Sequence, residues 1–181
     1  MELVFPELET ERLLLKRLED KHAPALLKIW SQEEVMRYTD TDPFTSLSEI
    51  QEEIMIMDGL FKAGHAIRWG IFEKSNQELV GSCGFHKYSQ QNKLLEIGYE
   101  LGQAYWGNGY MTEALRAVIT YCFNVLGVNR IEALILKGNE RSERVVKKLG
   151  FKFEGVLLEH SYYKGQFWDE ESFALLRKDW K

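Results

Sequence analysis

The sequence contains few cysteines and prolines, and it has no residue spacing typical of a metal site. Of 181 residues, two are cysteine and three are proline. Cys83 and Cys122 lie far apart in apolar segments, which is typical of buried thiols in a reducing compartment. The four histidines are scattered and none is paired with a cysteine. We therefore expect a cytoplasmic protein that binds no metal.

Long apolar runs and an excess of positive charge are also missing. No segment approaches the ~20 apolar residues that span a bilayer, and the N-terminus lacks the basic start and apolar stretch of a secretory signal. The chain carries 23 basic and 28 acidic side chains, for a net charge of −5. Nucleic-acid binding needs clustered Lys and Arg. We therefore expect no membrane and no nucleic-acid partner.

The remaining composition is that of a folded domain. Hydrophobic residues make up 45% of the chain and aromatic residues 13%. At this length a fold buries roughly 70% of the surface that the unfolded chain exposes, which is enough for a core without disulfides or metal. No internal repeat, low-complexity tract or flexible linker interrupts the sequence. Residues 1–181 are therefore predicted to form a single domain.

Charge is unevenly distributed along the chain. Residues 1–60 contain 14 acidic and 6 basic side chains, whereas residues 62–181 contain 14 acidic and 17 basic ones. Two solvated surfaces that happen to differ would produce the same counts. The alternative is that one part of the molecule attracts cations while another part holds anions.

Hydrophobic periodicity predicts a mixed α/β fold with seven strands and about four helices. The predicted order is strand, two helices, three strands, helix, strand, helix and two strands. Strands are predicted over 12–18, 66–72, 79–86, 93–101, 130–136, 151–163 and 167–176. Helices are predicted to begin near Glu19, at Ser48 with Gln51 as its capping-box partner, near Thr112, and at Asn139.

A glycine-rich turn joins the third middle strand to the helix that follows it. Gly102, Gly107 and Gly109 precede Thr112. A glycine-rich turn that enters a helix leaves backbone N–H groups unpaired at the positive end of the helix dipole, which suits a diphosphate. A P-loop would need Lys-Ser/Thr where Asn108-Gly109 stands, and a dinucleotide-binding fingerprint would need a third glycine at Thr112. Both motifs fit poorly.

The stretch IGYELGQAYWGNGYMTEAL resembles the acetyl-coenzyme A loop of the GCN5-related N-acetyltransferases (GNAT). More narrowly, it is similar to the RimJ/RimL branch, which is named for acetylation of ribosomal-protein N-termini. The opening ETERLLLKRL, the segment from Asn139 through Ser142 to Phe151 and the terminal hairpin extend the resemblance over nearly the whole chain. The resemblance implies a mixed, mostly antiparallel seven-stranded sheet whose central strands splay apart to admit the cosubstrate.

The resemblance also implies acetyl-coenzyme A as cosubstrate and an amine as acceptor, without metal. The residues that it implies for cosubstrate binding are Tyr99, Leu101, Trp106, Gly107, Asn108, Gly109, Tyr110, Met111, Thr112, Asn139 and Ser142, with a backbone N–H near Leu101 as oxyanion donor. The wider superfamily pattern would place Arg or Gln at 104, where this chain has Ala104. This departure weakens any expectation of a phosphate contact from a side chain there.

Acetyl transfer to an amine needs a group that removes the amine's proton. Alternation along the strand over 93–101 places Glu96, Gly98 and Glu100 on one face. A glutamate buried on a central strand has a raised pKa unless it is paired, and Glu96 matches the position of the base in the histone-acetylating branch. Glu96 is therefore the first candidate base, directly or through water, and Glu100 the second. Glu132 is a third candidate; a salt bridge for Glu96 and a solvated strand end for Glu100 are the alternatives.

The departing thiolate needs a proton donor. Helical periodicity places Asn139, Ser142, Val146 and Leu149 on one face of the last helix. In relatives that acetylate α-amines, a tyrosine often takes the position of Val146, which cannot donate a proton. Ser142 matches the serine that RimL-like members use instead. A serine near a helix start is also commonly a backbone hydrogen-bonding residue.

These observations predict direct acetyl transfer to a primary amine, most readily a protein N-terminal α-amine. A small cationic amine such as a polyamine, aminoglycoside or amino acid is the alternative acceptor. The rival of a different class is a non-catalytic sensor that binds acyl-coenzyme A. No Gly-x-Ser-x-Gly elbow is present, and neither cysteine has a neighbouring histidine, so a covalent acyl-enzyme is not expected. Either a monomer or a homodimer is compatible with the sequence.

Overall fold

The structure, a computed structural model, describes residues 4–181 and centres on one eight-stranded sheet. Its strand order is β1-β2-β3-β4-β5-β6-β8-β7. The strands are β1 (Leu8–Glu9), β2 (Leu13–Arg17), β3 (Ile67–Glu73), β4 (Leu79–Ser89), β5 (Leu94–Leu101), β6 (Arg130–Leu136), β7 (Lys152–Tyr163) and β8 (Gln166–Leu176). The helices are α1 (Ala23–Trp30), α2 (Glu33–Met36), α3 (Leu47–Lys62), α4 (Tyr110–Asn124) and α5 (Glu140–Lys148).

Strands β5 and β6 form the one parallel pair in the sheet described by residues 4–181. Their pairing covers three residues and ends where Glu96 lies beside Glu132. Beyond this rung β5 continues to Leu101 and β6 to Leu136, each paired only with its other neighbour. The two strands therefore diverge and open a gap in the middle of the sheet.

Each face of the sheet packs against a different group of helices. The larger core cluster includes Leu115 and Val118 of α4 and Val146 of α5, against strand residues such as Leu95 and Ile131. The smaller cluster holds the apolar sides of α1, α2 and α3. Because alternate strand residues point to opposite faces, the even-numbered residues of β5 lie on the face that α1–α3 cover.

The predicted mixed, mostly antiparallel sheet is confirmed, with differences at its margins. The two-residue strand β1 raises the number of strands to eight, and the one-turn helix α2 raises the number of α-helices to five. The predicted helix cap at Ser48 is wrong. Ser46 caps α3 and forms a reciprocal capping box with Glu49, so the helix begins one residue earlier, at Leu47. The sequence offers two overlapping Ser-x-x-Glu/Gln patterns, and only the first forms.

Among residues 4–181, no helix combines the length and the apolar character needed to cross a membrane. The three middle strands and β6 lie within a few residues of their predicted positions. The expected cap at Asn139 is also confirmed, because its side-chain Oδ1 accepts a hydrogen bond from the backbone N–H of Ser142 at 3.3 Å.

Candidate active site

The glycine-rich turn between β5 and α4 has the backbone conformation that its glycines predict. Gly107 has φ = 81° and Gly109 has φ = 78°, both in the left-handed region that side chains disfavour. Gly109 is the residue immediately before α4. Gly107, Asn108 and Gly109 are all exposed, so this part of the turn is open to solvent.

Backbone N–H groups are open where this turn enters α4. The first helical N–H with an acceptor is that of Glu113, which donates to the Gly109 carbonyl at 3.0 Å. Within residues 4–181, the N–H groups of the residues from Gly107 to Thr112 have no such partner. The helix dipole adds positive potential at the same place. The arrangement is that of an anion-binding helix start.

Arg12, at the entry to β2, holds the turn in place. Its Nη1 donates to the Asn108 carbonyl at 3.0 Å, and its Nε donates to the Glu113 carboxylate at 2.7 Å. The Thr10 hydroxyl donates to the same carboxylate at 2.6 Å. No local pattern predicts this role for Arg12, because Glu113 lies 101 residues away in sequence.

The aromatic residues of the turn are fixed by polar contacts. Trp106 Nε1 donates to the Leu101 carbonyl at 2.7 Å, and the guanidinium of Arg141 lies 3.7 Å from the centroid of the Trp106 ring. The Tyr110 hydroxyl donates to Glu73. Met111 is buried in the core and Thr112 is half-buried. These two residues therefore present chiefly their backbone N–H groups to a ligand.

Tyr99 and Ser142 face each other across the gap between β5 and β6. The Tyr99 hydroxyl donates to the Ser142 backbone carbonyl at 3.2 Å. Burial raises the pKa of Tyr99, so its hydroxyl is neutral near pH 7. Ser142 is half-buried in the first turn of α5, next to its cap Asn139. The structure thus brings together three of the predicted cosubstrate-binding residues at the open end of the gap.

Glu96 is buried as predicted, but the expectation that burial raises its pKa is wrong. Its residue surface is 8% exposed. Its Oε1 lies 3.1 Å from His86 Nε2, and its Oε2 accepts from Lys87 Nζ at 2.8 Å. Burial disfavours the charged form, but the hydrogen bonds and charges of His86 and Lys87 outweigh it, and the pKa of Glu96 is lowered. Glu96 is therefore an ionised, paired carboxylate near pH 7.

Glu100 is part of a four-residue network and is not a solvated strand end. Its carboxylate accepts hydrogen bonds from Trp30 Nε1 at 2.9 Å, from the Ser82 hydroxyl and from Arg68 Nη2. Arg68 Nε also donates to the Ser82 hydroxyl oxygen at 2.7 Å. These three donors occupy the hydrogen-bonding capacity of the Glu100 carboxylate. Because the partners lie on different elements, the network joins β3, β4, β5 and α1.

Glu132, the third carboxylate considered as a base, is paired as well. Its Oε1 accepts from Arg130 Nε at 2.7 Å, and the same guanidinium binds Glu154 of β7. Register places Glu132 beside Glu96 at the last paired rung of β5 and β6. The structure thus brings the first and third candidate bases together where the gap begins.

Both cysteines are fully buried core residues, as their surroundings in the sequence predict. Burial raises the pKa of the Cys83 thiol to about 12, and it also raises the pKa of Cys122. A thiol with a raised pKa is a poor nucleophile. Among residues 4–181, no group of three or more His, Cys, Asp or Glu side chains is placed to hold a metal ion.

The face that α1–α3 cover is closed on one side by the β7–β8 hairpin. Lys164 Nζ, at the tip of the hairpin, donates to the Met36 carbonyl of α2 at 2.7 Å. Trp168 stacks on Tyr163 with 5.7 Å between ring centroids. Burial is the main cause of the raised pKa of Tyr163, and the charges of Glu170 and Asp40 contribute. Aromatic rings and the carboxylates of Glu170 and Asp40 therefore lie near one another beside the tip of the hairpin.

Comparison with known proteins agrees with this geometry. Residues 12–152 match the family described as "Acetyltransferase (GNAT) domain". "Uncharacterized N-acetyltransferase p20" of Bacillus licheniformis is 38% identical over 173 residues, which cover 96% of this chain and 97% of that protein. The "[Ribosomal protein uS5]-alanine N-acetyltransferase" of Escherichia coli is 27% identical over 179 residues, which cover 96% of this chain and 92% of that protein.

A crystal structure of a GNAT-family acetyltransferase from Bacillus anthracis has the same fold. It superposes with a TM-score of 0.85 at 28% sequence identity, and the match covers 96% of this chain and 99% of that one. The family match spans most of the chain and includes the turn, the gap and α5. The chain therefore belongs to the GNAT family of N-acetyltransferases.

Proposed function

We propose that this protein transfers the acetyl group of acetyl-coenzyme A directly to a primary amine, and that the amine is a protein N-terminal α-amine. The observation that carries the proposal is the set of open backbone N–H groups from Gly107 to Thr112, set at the start of α4 beside the gap between β5 and β6. Open N–H groups at a helix start suit a diphosphate, and the gap beside them would admit the rest of the cosubstrate.

The residues present suit acetyl-coenzyme A. The turn would hold the diphosphate through backbone N–H groups, and a side chain is not required at Gly107 or Gly109, where both glycines adopt left-handed φ. Tyr99 and the α5 cap Asn139, which both bind the backbone of Ser142, are proposed to contact the pantetheine arm, and the Arg141 guanidinium on Trp106 adds positive charge near the turn. When bound, the cosubstrate supplies an activated thioester carbonyl to the amine.

Ser142 is proposed as the proton donor to the departing thiolate. It lies in the first turn of α5 with its backbone N–H bound to Asn139 and its carbonyl bound to Tyr99. Both contacts use the backbone of Ser142 and leave its hydroxyl available. Glu96, ionised and on the face from which the amine would approach, is proposed to serve the removal of the amine's proton, directly or through a neighbouring group.

The acceptor is proposed from the E. coli relative, whose name specifies N-acetylation of an alanine of ribosomal protein uS5, together with the resemblance to the RimJ/RimL branch. Acidic side chains of the first 60 residues, among them Asp40 and Glu53, lie on the face that α1–α3 cover, and they favour a cationic acceptor. A small polyamine or aminoglycoside shares this charge and is the second candidate.

One assay of the full chain separates these possibilities. Release of free coenzyme A thiol is measured with a panel of N-terminal peptides, polyamines, aminoglycosides and amino acids, and calorimetry measures acetyl-coenzyme A binding. Thiol release with a peptide supports the proposal, and release only with small amines supports the second candidate. Binding without release from any amine would indicate a sensor, and absence of binding would contradict every form of the proposal.

Ser142→Ala tests the proposed proton donor. We expect kcat to fall while the Kd for acetyl-coenzyme A remains unchanged, because the backbone contacts of residue 142 do not need its hydroxyl. Ser75→Ala removes a hydroxyl of the same kind in the exposed turn between β3 and β4 and serves as control. Wild-type kcat in Ser142→Ala would reject the assignment.

A further inference from the structure

The carboxylate of Glu96 binds two consecutive residues of β4, which a regular strand would point to opposite faces. His86 and Lys87 both contact it. Lys87 has φ = 50°, and the register of β4 with β5 shifts between His86 and Ser89. This bulge turns the Lys87 side chain onto the face that His86 occupies. The strained backbone of Lys87 thus allows both side chains to bind the same carboxylate.

The hydrogen bond to Glu96 determines which nitrogen of His86 is free. An ionised carboxylate only accepts hydrogen bonds, so Nε2 carries the hydrogen in the Nε2–Oε1 contact of 3.1 Å. In the neutral imidazole, Nδ1 then has an exposed lone pair. Within residues 4–181, Nδ1 has no hydrogen-bond partner, and the His86 side chain is 43% exposed.

The free side of the imidazole lies over Gly98, the next residue of β5 on this face. A Cβ at position 98 would be 3.5 Å from Cε1 and 3.6 Å from Nδ1 of His86. Gly98 comes just after the last rung that joins β5 to β6. Nδ1 therefore faces the beginning of the gap, on the side that α1–α3 cover.

We propose that His86 is the general base for the acceptor amine and that Glu96 is its positioning residue. This assignment rests on the proposed acetyltransferase function. A proton passes from the acceptor ammonium to Nδ1, and the freed lone pair of the amine forms the new C–N bond at the thioester carbonyl carbon. The C–S bond breaks as the attacking nitrogen loses its second proton. Ser142 gives its hydroxyl proton to the departing sulfur and takes up that second proton, so the products are an amide, a free thiol and the His86 imidazolium. Glu96 holds the imidazole in the tautomer with hydrogen on Nε2 and stabilises the imidazolium that forms.

Charged groups on three strands lie close to this base. They are Glu96 on β5, Lys87 on β4 and Arg68 on β3. A Cβ at Gly98 would lie 3.2 Å from Arg68 Nη1, so this guanidinium is close to the imidazole. Glu132 lies beside Glu96 and is paired with Arg130. The acidic limb of the plot of kcat against pH depends on all of these charges.

Three variants test the assignment. We expect His86→Gln to lower kcat by about 10²- to 10⁴-fold, with loss of the acidic limb, because that is the contribution typical of general base catalysis. Glu96→Gln should lower kcat less and shift the acidic limb, because it disturbs the tautomer but leaves the imidazole. Lys87→Gln removes the other partner of Glu96 and should shift the acidic limb without abolishing it, because the imidazole and its carboxylate both remain.

Two further measurements exclude a purely structural effect. Imidazole added to His86→Ala should restore thiol release in a concentration-dependent manner, and calorimetry should give a wild-type Kd for acetyl-coenzyme A in each variant. His65→Gln changes an exposed histidine before β3 and should behave as wild type.

An active enzyme in which His86→Gln keeps the wild-type kcat and acidic limb would overturn this assignment and leave the acetyltransferase function intact. A wild-type chain that binds acetyl-coenzyme A but turns over no amine would overturn both. If Glu96→Gln loses the acidic limb while His86→Gln retains it, the Glu96 carboxylate itself is the base and the roles proposed for the two residues are wrong.

Discussion

The Tyr99 hydroxyl donates a hydrogen bond to the Ser142 carbonyl at 3.2 Å and thereby joins β5 to α5 across a gap that no backbone pairing closes. Sheet hydrogen bonds hold the strands elsewhere, but here side chains join the β5 side to α5, through Tyr99 and through the Arg141 guanidinium on the Trp106 ring. Side-chain contacts therefore hold the wide end of the gap, and the Glu96–Glu132 rung holds its narrow end.

Tyr99→Phe should destabilise the fold modestly and weaken acetyl-coenzyme A binding. Loss of one buried hydrogen bond costs about 1 kcal/mol of unfolding free energy, and a less constrained gap should raise the Kd for acetyl-coenzyme A. Urea unfolding and calorimetry measure the two effects. Tyr121→Phe is the control, because the Tyr121 hydroxyl has no hydrogen-bond partner within residues 4–181. Equal effects of the two substitutions would contradict the bridging role.

Gly109→Ala should weaken acetyl-coenzyme A binding more than its cost in stability explains. A left-handed conformation costs a residue with a Cβ roughly 1–2 kcal/mol, and the turn can relieve that strain only by moving the open N–H groups. Gly127→Ala provides a matched control, since Gly127 has φ = 68° and open space around it but lies at the far end of α4. Both variants should lose stability, and only Gly109→Ala should lose affinity for the cosubstrate.

The Arg68–Glu100 pair should behave as a buried network in a double-mutant cycle. Arg68→Met alone leaves the Glu100 carboxylate buried without its cation, at a cost of about 3–5 kcal/mol. Adding Glu100→Gln should recover part of that loss. The exposed pair of Arg17 and Asp58 is the comparison, and its disruption should cost about 1 kcal/mol or less. A strictly additive Arg68–Glu100 cycle would show that the two residues do not interact.

Glu96 should make the stability of the fold depend on pH on the acidic side. Its pKa is lowered in the folded state, because the hydrogen bonds and charges of His86 and Lys87 outweigh burial. The resulting stabilisation is fully present above the unfolded-state pKa of a glutamate, about 4.3, and is lost as the pH falls through the folded-state value. Glu96→Gln should flatten this part of the curve of unfolding free energy against pH. An unchanged slope below pH 5 would contradict the pairing.

The two thiols should be unreactive until the chain unfolds. Burial raises the pKa of Cys83 to about 12 and also raises that of Cys122, so neither forms a thiolate near pH 8. A thiol reagent should therefore label the native protein slowly and the urea-unfolded protein at two sites. Rapid labelling of the native chain at either position would show that the core opens locally.

The sequence pattern predicted most of the sheet, because apolar alternation and helical periodicity are local signals. The strand over 130–136 and the Asn139 cap are examples. The site was predicted less completely. Glu96 and Glu100 were both found from alternation along β5, but their cation partners lie on β3 and β4 and depend on strand register. A salt bridge for Glu96 was one of the alternatives, but the bulge at Lys87 has no glycine to signal it, so the sequence does not identify His86 and Lys87 as the partners.

The contact between Arg12 and the turn before α4 ties ligand binding to the completeness of the fold. The turn is held by a residue that is 96 positions away from Asn108 and 101 away from Glu113. Arg12 can contact the turn only after β2 has joined the sheet. We therefore expect the turn to be disordered in a partly folded chain. In the finished fold the turn is fixed before any ligand arrives, and binding therefore avoids the entropy cost of ordering a loop.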